Sequence, residues 1–394
     1  MGALSDIRVL ELGSMLAGAF CGTMLGDFGA EVVKLEKPRR PDALREWPPF
    51  KDGKPLWWKS MARNKRLATL DISRPEAREA TLALIARADV VVENFRPGTL
   101  ERWGLGPADL APDHAQVVWV RVSGYGQSGP YSGRGGYATI AEGYSGLASF
   151  TGYPDRGPMV SAFPLGDYLA GIFAAFGALA AVNARRTSGR GQVVDASLFE
   201  PFLRIIESAV VRYDQTGQHK ERLGNQMEED VPRNIYATLD GFVSISVGSQ
   251  ALFNNLLAAL ERLDLVDDPR FASAQARAAN RDATDALVRE WLATRTTEEG
   301  LARFEANKVV AGKVNRMEDV FADAHVLARE ALAIVQDPDL GPMRLPAPVP
   351  KLSETPGEVH WTGKEPGADN DHVFRELLGL ADGRIEAMRR AGVI

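Results

Sequence analysis

The chain has 394 residues, 45% hydrophobic and 25% charged, with a formal net charge of −6. That length predicts two domains with a sizeable core, and the acidic balance argues against a nucleic-acid-binding face. The lone cysteine, Cys21, excludes an internal disulfide. The N-terminus lacks a basic stretch followed by an apolar core, and no apolar run approaches the roughly 20 residues of a membrane span. The expectation is therefore a cytoplasmic protein without membrane partners.

In chain order, Ile7 to Leu12 reads as a strand and the small residues from Ala17 to Ala30 as a helix. "EVVKLEKP" and "RLATLDI" read as strands, "PEAREATLALIARA" as a helix, and "DVVVENF" and "QVVWVRVS" as further strands. Strands alternating with helices predict a parallel α/β sheet. After a glycine-rich stretch come a helix from Ala138 to Ser149, a long helix opening near Asp167, and a last strand and helix in "GQVVDASLFE". From about Arg222 the texture changes. "IYATLDGFVSISV" predicts a β-hairpin, Ala-, Arg- and Leu-rich helices follow to Phe304, and an α/β tail closes the chain. The prolines of "LGPMRLPAPVPKLSETPGEV" predict a linker-like segment.

Gly124, Gly126 and Gly129 follow the strand "QVVWVRVS" at dinucleotide-loop spacing. Such a loop needs a helix starting at its third glycine, so that pyrophosphate rests on the helix N-terminus. Here Pro130 follows immediately, and Gly133, Gly135 and Gly136 would break any helix within a turn. The spacing predicts a turn-rich loop able to approach a ligand, and not an NAD site. The turn after the first strand is a better anion site, with Gly13 followed by Met15, Leu16, Ala17 and Gly18 at a helix start. Lys34, Lys37, Arg39, Arg40 and Arg45 follow at the carboxyl edge of the second strand, with Arg63 to Arg66, Arg96 and Arg102 beyond. Any single cation among them is ordinarily a solvated surface residue, but their recurrence at strand ends points to a phosphate-bearing ligand. The five histidines are scattered without metal-ligand spacing, so no metal site is expected.

The stretches "RVLELGSMLAGAFCGTMLGDFGAEVVKLEKP", "NKRLATLDI", "ADVVVENFRPGTLERWGL" and "GDYLAGIFAAFGALAAVNARRTSGRGQVVDASLFE" resemble the family III coenzyme A transferases, the CaiB/BaiF group. The resemblance implies a Rossmann-like large domain built from both chain ends, a smaller α+β domain, and an interlocked, ring-shaped homodimer. It implies residues 1–205 in the large domain, a linker at 206–225, the small domain at 226–325 and a return segment at 326–394. It implies CoA or acyl-CoA as substrate with no tightly bound cofactor, and a carboxylic acid as acceptor. CoA contacts are implied at Met15, Leu16, Ala17, Lys37, Leu70, Asn94, Phe95, Arg102 and Tyr137, with Arg39 and Arg45 in the same cationic edge.

The resemblance makes Asp167 the nucleophile, attacking the thioester to give an aspartyl anhydride and then an aspartyl-CoA thioester. The residue alone reads as a helix N-cap, kept ionised at neutral pH by the helix dipole. Glu142 faces the acyl pocket on one reading and solvent on the other. Three alternatives stand beside the transferase: a racemase of the same fold, a non-catalytic CoA-binding protein and an NAD-dependent oxidoreductase. Tyr137 and Ala138 occupy the positions where racemase relatives carry a His-Asp pair, which argues against racemisation.

Overall fold

The structure is a computed structural model describing residues 2–110 and 113–394. Its contacts divide into two units, Met1–Leu147 with Val160–Gln215 and Ala328–Ile394, and Ala148–Met159 with Thr216–Leu327.

The first unit is built on β1 (Arg8–Glu11), α1 (Ala17–Asp27), β2 (Glu31–Glu36), β3 (Lys65–Thr69), α2 (Arg78–Arg87), β4 (Val90–Glu93), β5 (Val118–Ser123), α3 (Ala138–Tyr144), α4 (Leu165–Ser188) and β6 (Val193–Ser197). The strands lie in the order β3-β2-β1-β4-β5-β6, every pair parallel. Unbroken apolar runs such as Val90-Val91-Val92 suit strands covered on both faces. One face carries α2 and the C-terminal helix Asp382–Arg390, through Leu84, Ile85, Ile385 and Met388. On the other, the alanines of α4 (Ala170, Ala174, Ala178, Ala181) meet Ala17, Cys21 and Leu25 of α1. The strand order reverses between β1 and β4, so the turns leaving their carboxyl ends flank one crevice, where open α/β sheets bind ligands.

The chain's end returns to the outer edge of this sheet. The Asp369 carboxylate accepts from the Leu67 N–H, and the Asn370 side-chain oxygen accepts from the Thr69 N–H.

The second unit has its own core, Tyr236, Val243, Phe253, Leu256, Val288 and Phe304 among its members. The hairpin Arg233–Ala237 with Phe242–Ser246 gains a third antiparallel strand at Ala311–Lys313.

Three expectations need correction. The segment read as a linker at 206–225 holds α5 (Glu207–Thr216), with Ala148–Met159 joining the second unit. The proline-rich segment contains the strand Gly341–Pro346, paired with Leu332–Asp337. Prolines are tolerated there because both strands of a two-stranded ribbon are edges. The third concerns apolar length: α4 has 24 residues and an 18-residue window of mean hydropathy 1.7, long and apolar enough to cross a membrane. Its Ala and Gly face, packed on α1 and the sheet, accounts for that composition.

Candidate functional site

The turn from β1 into α1 forms one wall of the crevice. The Gly13 hydrogen faces the Asn94 side chain; a Cβ there would lie 2.0 Å from Asn94 Oδ1, so only glycine fits. Asn94 straps the next residue from both sides: its Oδ1 accepts from the Ser14 N–H at 2.9 Å, and its Nδ2 donates to the Ser14 carbonyl at 2.6 Å. Met15 then adopts the left-handed conformation, φ 67°, which costs a residue with a Cβ about 1 kcal/mol or more.

A buried carboxylate holds Met15 there. Both Asp42 oxygens accept from the Met15 N–H, at 3.0 and 3.2 Å. Behind Asp42, the fully buried Lys34 ammonium reaches Asp42 and Glu11, each at 2.9 Å, and donates to the Gly13 carbonyl at 2.8 Å. Burial opposes the charge on Asp42, yet Lys34 and the Leu44 and Met15 amides hold its carboxyl below the usual range. Lys65, also fully buried, reaches Glu11 at 2.8 Å and donates to the Ala19 carbonyl. A compensated charge network thus fixes the turn from beneath.

The opposite wall comes from the glycine-rich loop and α4. A Cβ on Gly124 would lie 2.7 Å from the Gly136 Cα, so these two glycines clamp the loop's ends together. The cavity between these walls has a volume of 740 Å³, within the range of small-molecule sites. Met15, Leu16, Ala17, Asn94, Phe95, Tyr137 and Asp167 all line it, as do Arg96, Arg134 and Trp47. A second hollow of 300 Å³ shares Ser14, Ala43 and Phe95 with the first and is lined by Lys37, Arg40, Leu70 and Trp103. Together the two suit a long ligand with an anionic end.

Asp167 departs from the N-cap expectation. Pro164 is the cap of α4, and Asp167 lies within the first turn, its carboxylate accepting no hydrogen bond from a described residue. Burial pushes its carboxyl up to about 6, where the cap argument had left it near the ordinary value. It remains mostly ionised at neutral pH. An anion that is poorly solvated and without donors is more nucleophilic than one held by an amide.

Other sequence candidates are committed elsewhere. Lys34, read as an edge cation, is interior. Arg45 pairs with Glu36 at 2.7 Å, stacks 3.8 Å over the Trp58 ring and lines neither cavity. Arg63 is held by Asp27, and Arg66 by Asp369. Exposed Arg39 lies beside Gly392, and Arg102 donates to Thr99 Oγ1; neither lines a cavity. Lys37 faces the second hollow but also pairs with Asp71 at 3.2 Å. Glu142 is buried, at 2% exposure, which overturns the solvated reading. It lines neither cavity; its Oε1 accepts from the Ser161 N–H and hydroxyl, tying α3 to the approach of α4.

Two lining residues escaped sequence reasoning. Trp47 follows the second strand's cationic run without periodicity or motif. Arg134 sits inside the glycine-rich stretch, where the glycines carry the only recognisable pattern.

Residues 4–372 match the family described as CoA-transferase family III. The chain is 42% identical over 393 residues to succinyl-CoA–D-citramalate CoA-transferase of Chloroflexus aurantiacus, covering 99% of this chain and 98% of that one. It is 38% identical to the succinyl-CoA–L-malate CoA-transferase beta subunit of the same organism, covering 99% and 98%. A crystal structure of a CaiB/BaiF family protein from Brucella suis superposes with a TM-score of 0.85 at 30% identity, covering 95% of this chain and 99% of that one.

Proposed function

The chain belongs to CoA-transferase family III and is a CoA-transferase, and from that premise we propose that it moves CoA from succinyl-CoA to a dicarboxylic acid, with Asp167 as nucleophile. The observation that carries this reading is the Asp167 carboxylate, undonated, half-desolvated and facing the same cavity as the β1–α1 turn. The two Chloroflexus relatives bear names pairing succinyl-CoA with citramalate or malate, both dicarboxylic acids.

The nucleotide end of CoA lies against Lys37, Leu70 and Phe95, and the pantetheine arm passes the Met15–Ala17 turn. Binding energy from that distant end holds the thioester against Asp167. The carboxylate attacks the thioester carbonyl, forming an acyl–aspartyl anhydride and expelling CoA thiolate. The thiolate attacks the Asp167 carbonyl, releasing succinate and leaving aspartyl-CoA thioester. The acceptor carboxylate attacks that carbonyl, giving a second anhydride and thiolate again. Thiolate finally captures the acceptor acyl group, restoring Asp167. Each anhydride must be shielded from water, and the clamped glycine loop over the cavity serves that purpose.

The enzyme works as a cytoplasmic homodimer. Phe176 is 72% exposed on α4, with Ile172 and Leu179 one turn to either side, and α5 has no buried residue. An exposed apolar stripe of this kind, together with a helix that has no buried residue, fits burial by a second copy.

The test is incubation with succinyl-CoA and a panel of carboxylic acids, following new CoA thioesters by mass spectrometry beside Asp167→Ala. A new thioester from a dicarboxylic acid, absent in the variant, is expected. Transfer undiminished in Asp167→Ala would remove the nucleophile. CoA binding without any transfer would favour the non-catalytic reading.

A further inference from the structure

Among the residues lining the 740 Å³ cavity, the only carboxylate is Asp167 and the only cations are Arg96 and Arg134. Neither guanidinium forms an ion pair or hydrogen bond with a described residue; the two residues bond only through their backbones, the Arg134 N–H donating to the Tyr131 carbonyl and the Arg96 carbonyl accepting from the Thr99 N–H. Lys34, Lys37, Arg45, Arg63 and Arg66, by contrast, are each held by a carboxylate, so Arg96 and Arg134 are left as positive charges beside a ligand space.

The two differ in how they are held. Arg96 emerges with Asn94 and Phe95 from the end of β4, the stretch that already carries the CoA expectation. Arg134 belongs to the glycine loop, and its guanidinium lies 3.6 Å from the Tyr131 ring centroid. Tyr131 is no loose support. It packs edge-on against Tyr125 at 5.9 Å and Tyr144 at 6.1 Å, and Tyr144 packs on Phe199 at 5.1 Å. Stacking on this raft fixes the guanidinium plane while leaving its edge N–H groups unused. A planar fork with free edge donors matches a carboxylate, which it can engage bidentately. Arg134 stands two residues before Gly136, the loop's clamp point, and so is carried by the segment that lines the site.

We propose that Arg134 is a specificity-determining residue that binds the free carboxylate of a dicarboxylic acyl group. This rests on the transferase reading, in which succinyl-CoA and a dicarboxylic acceptor occupy the cavity in turn. One fork serves both acids, because each presents a second carboxylate at the end away from the reacting carbonyl. The charge it neutralises is also the charge that would otherwise repel Asp167 inside a shared, poorly solvated space.

Calorimetry in an Asp167→Ala background, where no transfer consumes the ligand, separates the two readings. Succinyl-CoA and butyryl-CoA share a four-carbon acyl chain and differ in whether it ends in a carboxylate or a methyl group. The parent should bind succinyl-CoA about tenfold or more tighter. Adding Arg134→Met should erase that preference while leaving butyryl-CoA affinity within about threefold. Arg134→Lys should restore part of it, since charge survives and the fork does not. Equal affinity of the parent for both thioesters would overturn the proposal. So would a parallel loss of both with Arg134→Met, which would place Arg134 on the CoA moiety. If neither thioester bound the parent, the transferase reading itself would fall.

Discussion

The chemistry hangs on the ionisation of one carboxyl, and its position cuts two ways. Asp167 must be charged to attack, yet burial raises its pKa from 3.8 to about 6. The kcat/KM for thioester should therefore fall about tenfold per pH unit below about 6, a limb visible in a pH–rate profile. The same shift has a stability consequence. A carboxyl whose pKa rises on folding binds more protons folded than unfolded, so stability is lost as pH climbs from about 4 through 6. Asp167→Asn should therefore be more stable than the parent at pH 7, by about 2 kcal/mol after discounting partial exposure. Thermal melts should show that gain vanishing near pH 4, where both proteins are neutral at this position. A gain independent of pH would mean that the carboxylate is not what the fold pays for. Asp42 works in the opposite sense. Asp42→Asn leaves the buried Lys34 with Glu11 as its one remaining carboxylate and weakens the hold on Met15. A loss of roughly 3–5 kcal/mol is expected by urea unfolding, with a raised KM for the CoA thioester in whatever folds.

At the scale of elements, the site depends on how closely α4 approaches α1. A Cβ on Gly171 would sit 2.9 Å from the Ala17 carbonyl oxygen and 3.0 Å from the Phe20 ring. Since Ala17 lines the cavity, Gly171→Ala must push apart the two helices that carry the nucleophile and the CoA turn. A cost of about 1–3 kcal/mol is expected in thermal unfolding, together with a drop in kcat, because Asp167 lies one turn away. The elements themselves were largely legible. Alternating apolar strands and small-residue helices revealed the sheet, and Pro130 with the glycines after it separated the loop at 124–136 from a dinucleotide turn. Legibility failed where a side chain's partner lies far along the chain. Nothing local distinguishes interior Lys34 from Lys37 three residues later; the difference is set by Glu11 and Asp42. Arg45 and Arg66 were likewise claimed by Glu36 and Asp369 rather than by ligand. For Glu142 the sequence allows the acyl pocket or solvent and the structure shows neither, because its partner, Ser161, follows a turn that carries no periodicity.

The whole molecule exposes apolar surface that a lone chain has no reason to keep. Phe176 and Val211 are 72% and 60% exposed, and Ile172, Leu179, Val210 and Tyr213 are each at least 40% exposed. Strand burial and core packing in the first unit are complete without them. An amphipathic helix ordinarily turns its apolar stripe inward, whereas α4 turns its alanines inward and Phe173 and Phe176 out. That inversion is economical only if a second surface covers the larger side chains. Phe176→Glu places a charge in the middle of the stripe, which an isolated chain would tolerate and an apolar interface would not. Light scattering should report a parent of twice the chain's mass and a variant shifted toward the monomer in a concentration-dependent way. Activity should fall with dissociation and recover at high protein concentration if the site needs the second copy. A parent that is monomeric at micromolar concentration would leave the apolar stripe to some other partner and would separate this surface from the chemistry at Asp167.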